Sequence, residues 1–201
     1  MKKLSLVFVL ALAIASAARA DDGGAWLNVQ ANWGSQKAYA FARAEYRNYN
    51  KFSDTDAVFG ALGVGYKFSS WFKSDLSYEI WGVNDMTIHK AVLTCNASMT
   101  REALTVSVRE KFEYAVNPTV SSKTLTVRTR LRAQYAFQNS PFRPYMMAEC
   151  FNSSSWVRSL YYIGTEIPLG KHNLFDIYYL YHVPNGADQE HVIGVGYYFN
   201  F

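Results

Sequence analysis

The chain has 201 residues, enough for one domain, and is 50% hydrophobic and 16% aromatic, with 15 Tyr and 13 Phe. Its formal charge of +4 falls to +1 once Lys2, Lys3 and Arg19 are set aside, which leaves no basis for a nucleic-acid partner. No apolar run after Ala20 is long enough for a spanning helix. The two cysteines, Cys95 and Cys150, have no metal-type spacing with each other or with a His.

Residues 1–20 have the form of a cleaved signal peptide: Lys2 and Lys3, an apolar run from Leu4 to Ala15, then small residues around Arg19 at Ala18 and Ala20. Residues 21–36 are expected to be an N-terminal lead-in or a short first strand, centred on Ala25–Trp33. From residue 37 to 201 the chain alternates with period two. Ala38–Arg47 sets Tyr39, Phe41, Arg43, Glu45 and Arg47 on one face, and Asn48–Asp56 is expected to be a loop. Val58–Phe68 turns Leu62, Val64, Tyr66 and Phe68 outward. Trp71–Trp81 turns Lys73, Asp75, Ser77 and Glu79 inward. Thr87–Ala97 leaves two facings open, with either Ile88, Lys90 and Val92 or His89, Ala91 and Leu93 outward.

Ala103–Tyr114 places Thr105, Ser107, Arg109, Lys111 and Glu113 inside. It also places Glu110 on the outer face, a costly position unless it lies near an interface or a bulge shifts the register. Thr124–Phe137 has the clearest alternation, with Arg128, Arg130, Arg132 and Gln134 against Leu125, Val127, Thr129, Leu131 and Ala133. Pro144–Phe151 directs Tyr145, Met147, Glu149 and Phe151 inward. Trp156–Ile167 does so with Arg158, Tyr162, Gly164 and Glu166, and Leu174–His182 with Asp176, Tyr178 and His182. The final stretch sets Ile193, Val195, Tyr197, Phe199 and Phe201 on one face, carried to the chain end.

This pattern predicts an all-β fold: a transmembrane antiparallel up-and-down β-barrel of about ten strands from Ala38, with twelve as the alternative. An even count puts both chain ends on one side, with the longer loops on the other. The aromatic terminus looks like the closing strand of a Gram-negative outer-membrane barrel, so Tyr197, Phe199 and Phe201 are expected to form the signal read by the barrel-assembly machinery. Outer-face aromatics sort into two belts, as interface girdles do: Phe68, Phe72, Phe137, Phe175, Phe199 and Phe201 at one rim, Tyr46, Tyr114 and Tyr181 at the other. Cys95 and Cys150 fall on strands that are not neighbours and are expected to be unpaired.

The run Arg128-Thr-Arg-Leu-Arg132, then Pro144-Tyr-Met-Met-Ala-Glu149, Arg158 with Gly164, and the terminus from His191 resemble the domain-of-unknown-function 2490 family. The resemblance covers residues 38–201, most specifically the second half. It implies a small exported outer-membrane barrel and no particular activity.

The expected lumen holds Arg43, Arg47, Lys67, Lys73, Arg109, Lys111, Arg128, Arg130, Arg132 and Arg158 against Glu45, Asp75, Glu79, Glu113, Glu149, Glu166 and Asp176, ten bases to seven acids. In a narrow barrel such side chains fill the interior and pair, which makes a structural, porin-like protein with a polar plug the leading expectation. The Arg128, Arg130 and Arg132 ladder, with steps of about 6.6 Å, needs counter-charge, and Glu149 is the partner expected first. A narrow anion-preferring pore is the alternative. An outer-rim hydrolytic enzyme is the third reading, drawn from His89, His182 and His191 with Asp54, Asp56, Asp85, Asp188 and Glu190. No Gly-x-Ser-x-Gly or His-Glu-x-x-His occurs, so the expectation is a non-enzyme without metal or cofactor. Its expected surroundings are outer-membrane lipid, with small solutes possible.

Overall fold

The computed structural model describes residues 23–49, 54–83 and 85–201. The expected signal peptide, and the side chains of Asp54 and Asp56, lie outside the described residues. The described chain is all β-strand, wound into one closed barrel of eleven strands. These are β1 (Gly23–Gly34), β2 (Ala38–Tyr49), β3 (Asp54–Lys67), β4 (Phe72–Val83), β5 (Met86–Arg101), β6 (Leu104–Asn117), β7 (Ser122–Tyr135), β8 (Arg143–Asn152), β9 (Trp156–Leu169), β10 (Asn173–Pro184) and β11 (Glu190–Asn200).

Consecutive strands pair antiparallel. The barrel closes where β1 runs parallel to β11, from Gly23 opposite His191 to Asn32 opposite Asn200. This corrects the expected strand count. The segment around Ala25–Trp33 is a full strand, with Trp26, Asn28, Gln30 and Asn32 lining the lumen and Leu27, Val29 and Trp33 on the outside. Its inner face is mostly neutral amide, so it lacks the charged alternation of its neighbours. With an odd count, Gly23 and Asn200 lie at opposite ends of the barrel, not at one end as expected. Phe201 is held by this seam: its N–H donates to the Asn32 carbonyl at 2.9 Å and its ring stacks on Trp33 at 5.8 Å.

The connections that follow β2, β4, β6, β8 and β10 lie at one end, here the loop end. Those at 35–37, 68–71, 102–103, 136–142 and 170–172 lie with Phe201 at the other, the terminal rim. The expected asymmetry of long and short loops is absent, because the longest connection, 136–142, is at the terminal rim. Asn48 and Tyr49 continue β2, and residues 54–56 begin β3, where a loop was expected. A register shift after Arg47 accompanies this extension, and Asn48 Oδ1 accepts the Ala25 N–H at 2.8 Å.

The alternation places large apolar side chains on the outside around the circumference. Leu62, Val64, Leu76, Leu125, Leu131 and Met146 are all more than half exposed. The inner face takes the charges and several aromatic rings. Room for the rings comes from glycines: a Cβ on Gly194 would lie 1.9 Å from the Tyr178 ring, and one on Gly65 2.2 Å from that of Tyr39. The ambiguous strand β5 faces Ile88, Lys90, Val92, Thr94 and Asn96 inward, and Leu93 and Cys95 outward. The two cysteines are free thiols on β5 and β8, with β6 and β7 between them.

Candidate functional site

The lumen is where strand alternation brings the chemically capable side chains together. Of the predicted lumen charges, Lys67 is exposed at the end of β3, and the others point inward: Arg43, Glu45 and Arg47 from β2, Lys73, Asp75 and Glu79 from β4, Arg109, Lys111 and Glu113 from β6, Arg128, Arg130 and Arg132 from β7, Glu149 from β8, Arg158 and Glu166 from β9, and Asp176 from β10.

Their pairing forms a connected network. Glu79 accepts from Arg43 at 2.9 Å, from Lys111 at 3.3 Å and from the Trp81 indole N–H at 2.9 Å. Glu113 receives Arg128 at 2.6 Å, Lys90 at 3.2 Å and Lys111 at 3.3 Å. Glu149 receives Arg109 at 2.5 Å and Arg128 at 3.2 Å. Arg132 and the Gln134 amide both donate to Glu166, at 2.6 and 2.7 Å, and Glu45 holds Arg47 and Asn28. Asp75 and Asp176 accept phenol O–H groups from Tyr39 and Tyr145. Glu79, Glu113 and Glu149 are almost fully buried, which is tolerable because each carboxylate meets two or three donors. The expected Glu149 partnership with the arginine ladder is realised through Arg128. Arg130, directly opposite Glu149 in register, is not its ion-pair partner.

Towards the loop end the same lumen becomes apolar. Phe59 and Trp81 stack at 4.1 Å within a cluster containing Ala57 and Ala61, and Trp26, Phe151, Leu160, Leu180 and Val192 form a second buried cluster. Cations lie on these rings. The Arg47 guanidinium is 3.8 Å from the Trp26 ring centre and 4.8 Å from that of Trp81, Lys90 is 4.2 Å from Trp81, and Arg128 and Arg158 flank Phe151 at 4.2 and 4.3 Å. Below this layer lies a polar cavity of about 380 Å3, whose lining reaches Asn32, Tyr39, Lys73, Asn96 and Tyr198 towards the terminal rim. The lumen is therefore a chamber with an aromatic–cation roof.

Sequence reasoning missed Lys90 and the roof. A polar-lumen rule turns Ile88 and Val92 outward, whereas both pack inside beneath the loop end. The signal that could have found it is the parity of Trp81 and Phe151, each in step with the inward charges of its own strand, Glu79 and Glu149.

Glu110 does face outward, at mid-strand and without a bulge. Its carboxylate accepts from Thr129 Oγ1 at 3.0 Å. The three rim histidines do not converge. His182 is buried in the lumen and bonds Glu190 through Nδ1 at 2.6 Å, His191 bonds the Tyr179 hydroxyl, and His89 bonds that of Tyr78 at 2.6 Å. Asp85 sits in a turn with φ 61°, and Asp188 in the 185–189 connection. Among the described residues no group of three His, Cys, Asp or Glu is placed to hold a metal. Tyr197, Phe199 and Phe201 form a row of rings on the outer face, 4.7 and 6.4 Å between successive centres.

The family described as Protein of unknown function (DUF2490) matches residues 23–192, from the first residue of β1 into β11. The chain belongs to this family. No curated protein matches it.

Proposed function

For this DUF2490 family member we propose an integral outer-membrane role: a β-barrel seated in lipid by its outer face, with a lumen closed by charge pairs and the aromatic roof. The observation that carries this reading is the outer surface. Leu62, Val64, Leu76, Leu125, Leu131 and Met146, on β3, β4, β7 and β8, are each 54–69% exposed. Soluble monomers rarely expose contiguous apolar patches larger than a few hundred Å2, whereas a lipid-facing barrel requires such a band. The export leader, and the rings at Tyr197, Phe199 and Phe201, fit delivery to the barrel-assembly machinery, with the terminal rim periplasmic.

The lumen favours a structural plug over an open pore, because anion conduction needs a path through the stacked Phe59–Trp81 pair and its bound cations. Membrane fractionation and unheated electrophoresis test the first part. The full chain is expected as a heat-modifiable band in the outer membrane, and Phe199→Asp with Phe201→Asp is expected to leave periplasmic aggregate. A wild-type chain recovered as soluble periplasmic protein would overturn the reading. In planar bilayers the barrel is expected to give no stepwise current, and steady anion-selective steps would favour the pore.

A further inference from the structure

The lumen cations are unevenly distributed. One register row crosses β3 to β7 near the terminal rim, with Lys73, Asn96, Arg109 and Arg130 facing the cavity. Lys67 stands opposite Lys73, Lys73 opposite Asn96, Asn96 opposite Arg109, and Arg109 opposite Arg130. The row meets no carboxylate until Glu149 on β8. That carboxylate is already engaged by Arg109 and Arg128, and Asp75, two residues from Lys73, is engaged by the Tyr39 hydroxyl.

Among the described residues no carboxylate oxygen lies within 4.0 Å of Arg130 or Lys73. Arg130 has Arg109, Glu149 and Arg132 as electrostatic neighbours, and Lys73 has Asp75, Lys67, Arg130 and Arg109, so cations outnumber carboxylates around both. Like charges directly opposite on neighbouring strands repel, and with Arg130 partly buried and Lys73 exposed near the rim an anion from solution can reach the row. Arg109 Nε adds a buried donor with no acceptor. Lys73, Asn96, Arg109 and Arg130 all line the 380 Å3 cavity.

We propose that this row is a binding site for a small, doubly charged oxyanion of the phosphate type. Arg130 and Lys73 are its principal partners, and the Asn96 amide is a further donor. Two cations without an ion-pair partner match two negative charges. The planar guanidinium of Arg130 suits two oxygens of a phosphate, and the Lys73 ammonium supplies a compact point charge. The cavity admits the ion with several waters, a water's share of liquid volume being roughly 30 Å3. The proposal rests on the closed-lumen reading above, which makes the terminal rim the entry. The phosphate is either free or carried on a small ester, and the experiment separates the two.

The test uses the full chain in a phosphate-free maltoside detergent, with inorganic phosphate titrated by equilibrium dialysis at constant ionic strength in chloride. One saturable phosphate per barrel is expected at millimolar concentration or below. Arg130→Gln is expected to weaken binding by roughly tenfold, equivalent to about 1.4 kcal/mol. Lys73→Gln is expected to weaken it several-fold, while Lys123→Gln, on the outer surface at the loop end, leaves it unchanged. Heat-modifiable mobility checks that each barrel is folded. If Arg130→Gln fails that check, Lys73→Gln carries the test. Competition by glycerol phosphate would identify an esterified phosphate as the ligand, and its failure to compete would identify the free ion. A folded wild-type barrel with no saturable binding, or folded variants that bind as wild type does, would overturn the site. A wild-type chain that is not heat-modifiable would overturn the membrane-barrel reading instead.

Discussion

Two regions of the lumen treat charge differently: the loop-end network pairs its cations, whereas Lys73 and Arg130, nearer the terminal rim, go without an ion pair although Arg132 beside them holds Glu166. At the loop end three paired cations also lie on rings: Arg47 lies between Glu45 and the Trp26 ring, Lys90 between Glu113 and Trp81, and Arg128 between Glu113, Glu149 and Phe151. Towards the terminal rim, Lys73 and Arg130 border an open cavity, and neither has a carboxylate within ion-pair distance among the described residues. The difference shows what sets the need for pairing. Where rings exclude water, a lone charge is strongly unfavourable and the network must close on itself. Where water enters, cations remain available to a ligand.

The largest effect is expected from Glu113→Gln, which takes one charged acceptor from Lys90, Lys111 and Arg128 together. Breaking a buried network of this kind costs about 3–5 kcal/mol, read as a lower urea midpoint for the barrel in lipid. An unchanged midpoint would break the comparison, since it would place Glu113 in water. Trp81→Ala comes next, at about 3 kcal/mol, because it empties the space beside Phe59 and removes the ring under Arg47 and Lys90. Of these variants it alone is expected to produce ionic current in planar bilayers, and a silent Trp81→Ala barrel would place the closure elsewhere.

A smaller change of opposite sign is expected from Glu110→Leu. If the outer face meets lipid as proposed, a carboxylate at mid-barrel on that face is unfavourable, so its removal is expected to raise stability by about 1 kcal/mol. Lys73→Gln is expected to shift stability least, within about 0.5 kcal/mol, while altering phosphate binding. A Lys73→Gln barrel as damaged as Glu113→Gln would show that the two regions do not differ.

Most strands and their facing were legible because the apolar outer face and the polar lumen put opposite polarities at successive residues. That contrast is sharpest where Arg128, Arg130 and Arg132 alternate with Val127, Thr129 and Leu131. It faded at two places for identifiable reasons. In β1 the inner face carries Asn28, Gln30 and Asn32 in place of charges, so a barrel strand resembled a lead-in and the count came out one short. In β5 the inner face carries Ile88 and Val92 beneath the aromatic roof, so both faces looked apolar and Lys90 went unassigned. Which carboxylate each arginine takes was not legible either. Register sets Arg130 opposite Glu149, but side-chain reach gives Glu149 to Arg109 and Arg128, and only the closed barrel brings those three together. The same geometry leaves the cationic row exposed to the cavity.

Neighbouring residues of β4 offer the most direct test of the central claim that the outer face meets lipid and the inner face does not. Leu76 is 58% exposed on the outside, and Ser77 is 7% exposed on the inside. Single-cysteine variants Leu76→Cys and Ser77→Cys, made after replacing Cys95 and Cys150 with Ala, would be labelled with a fluorophore and reconstituted in vesicles whose acyl chains carry a quencher. The account predicts strong quenching at position 76 and little at 77. Equal accessibility of both positions to an aqueous quencher, with neither quenched by the lipid, would contradict it.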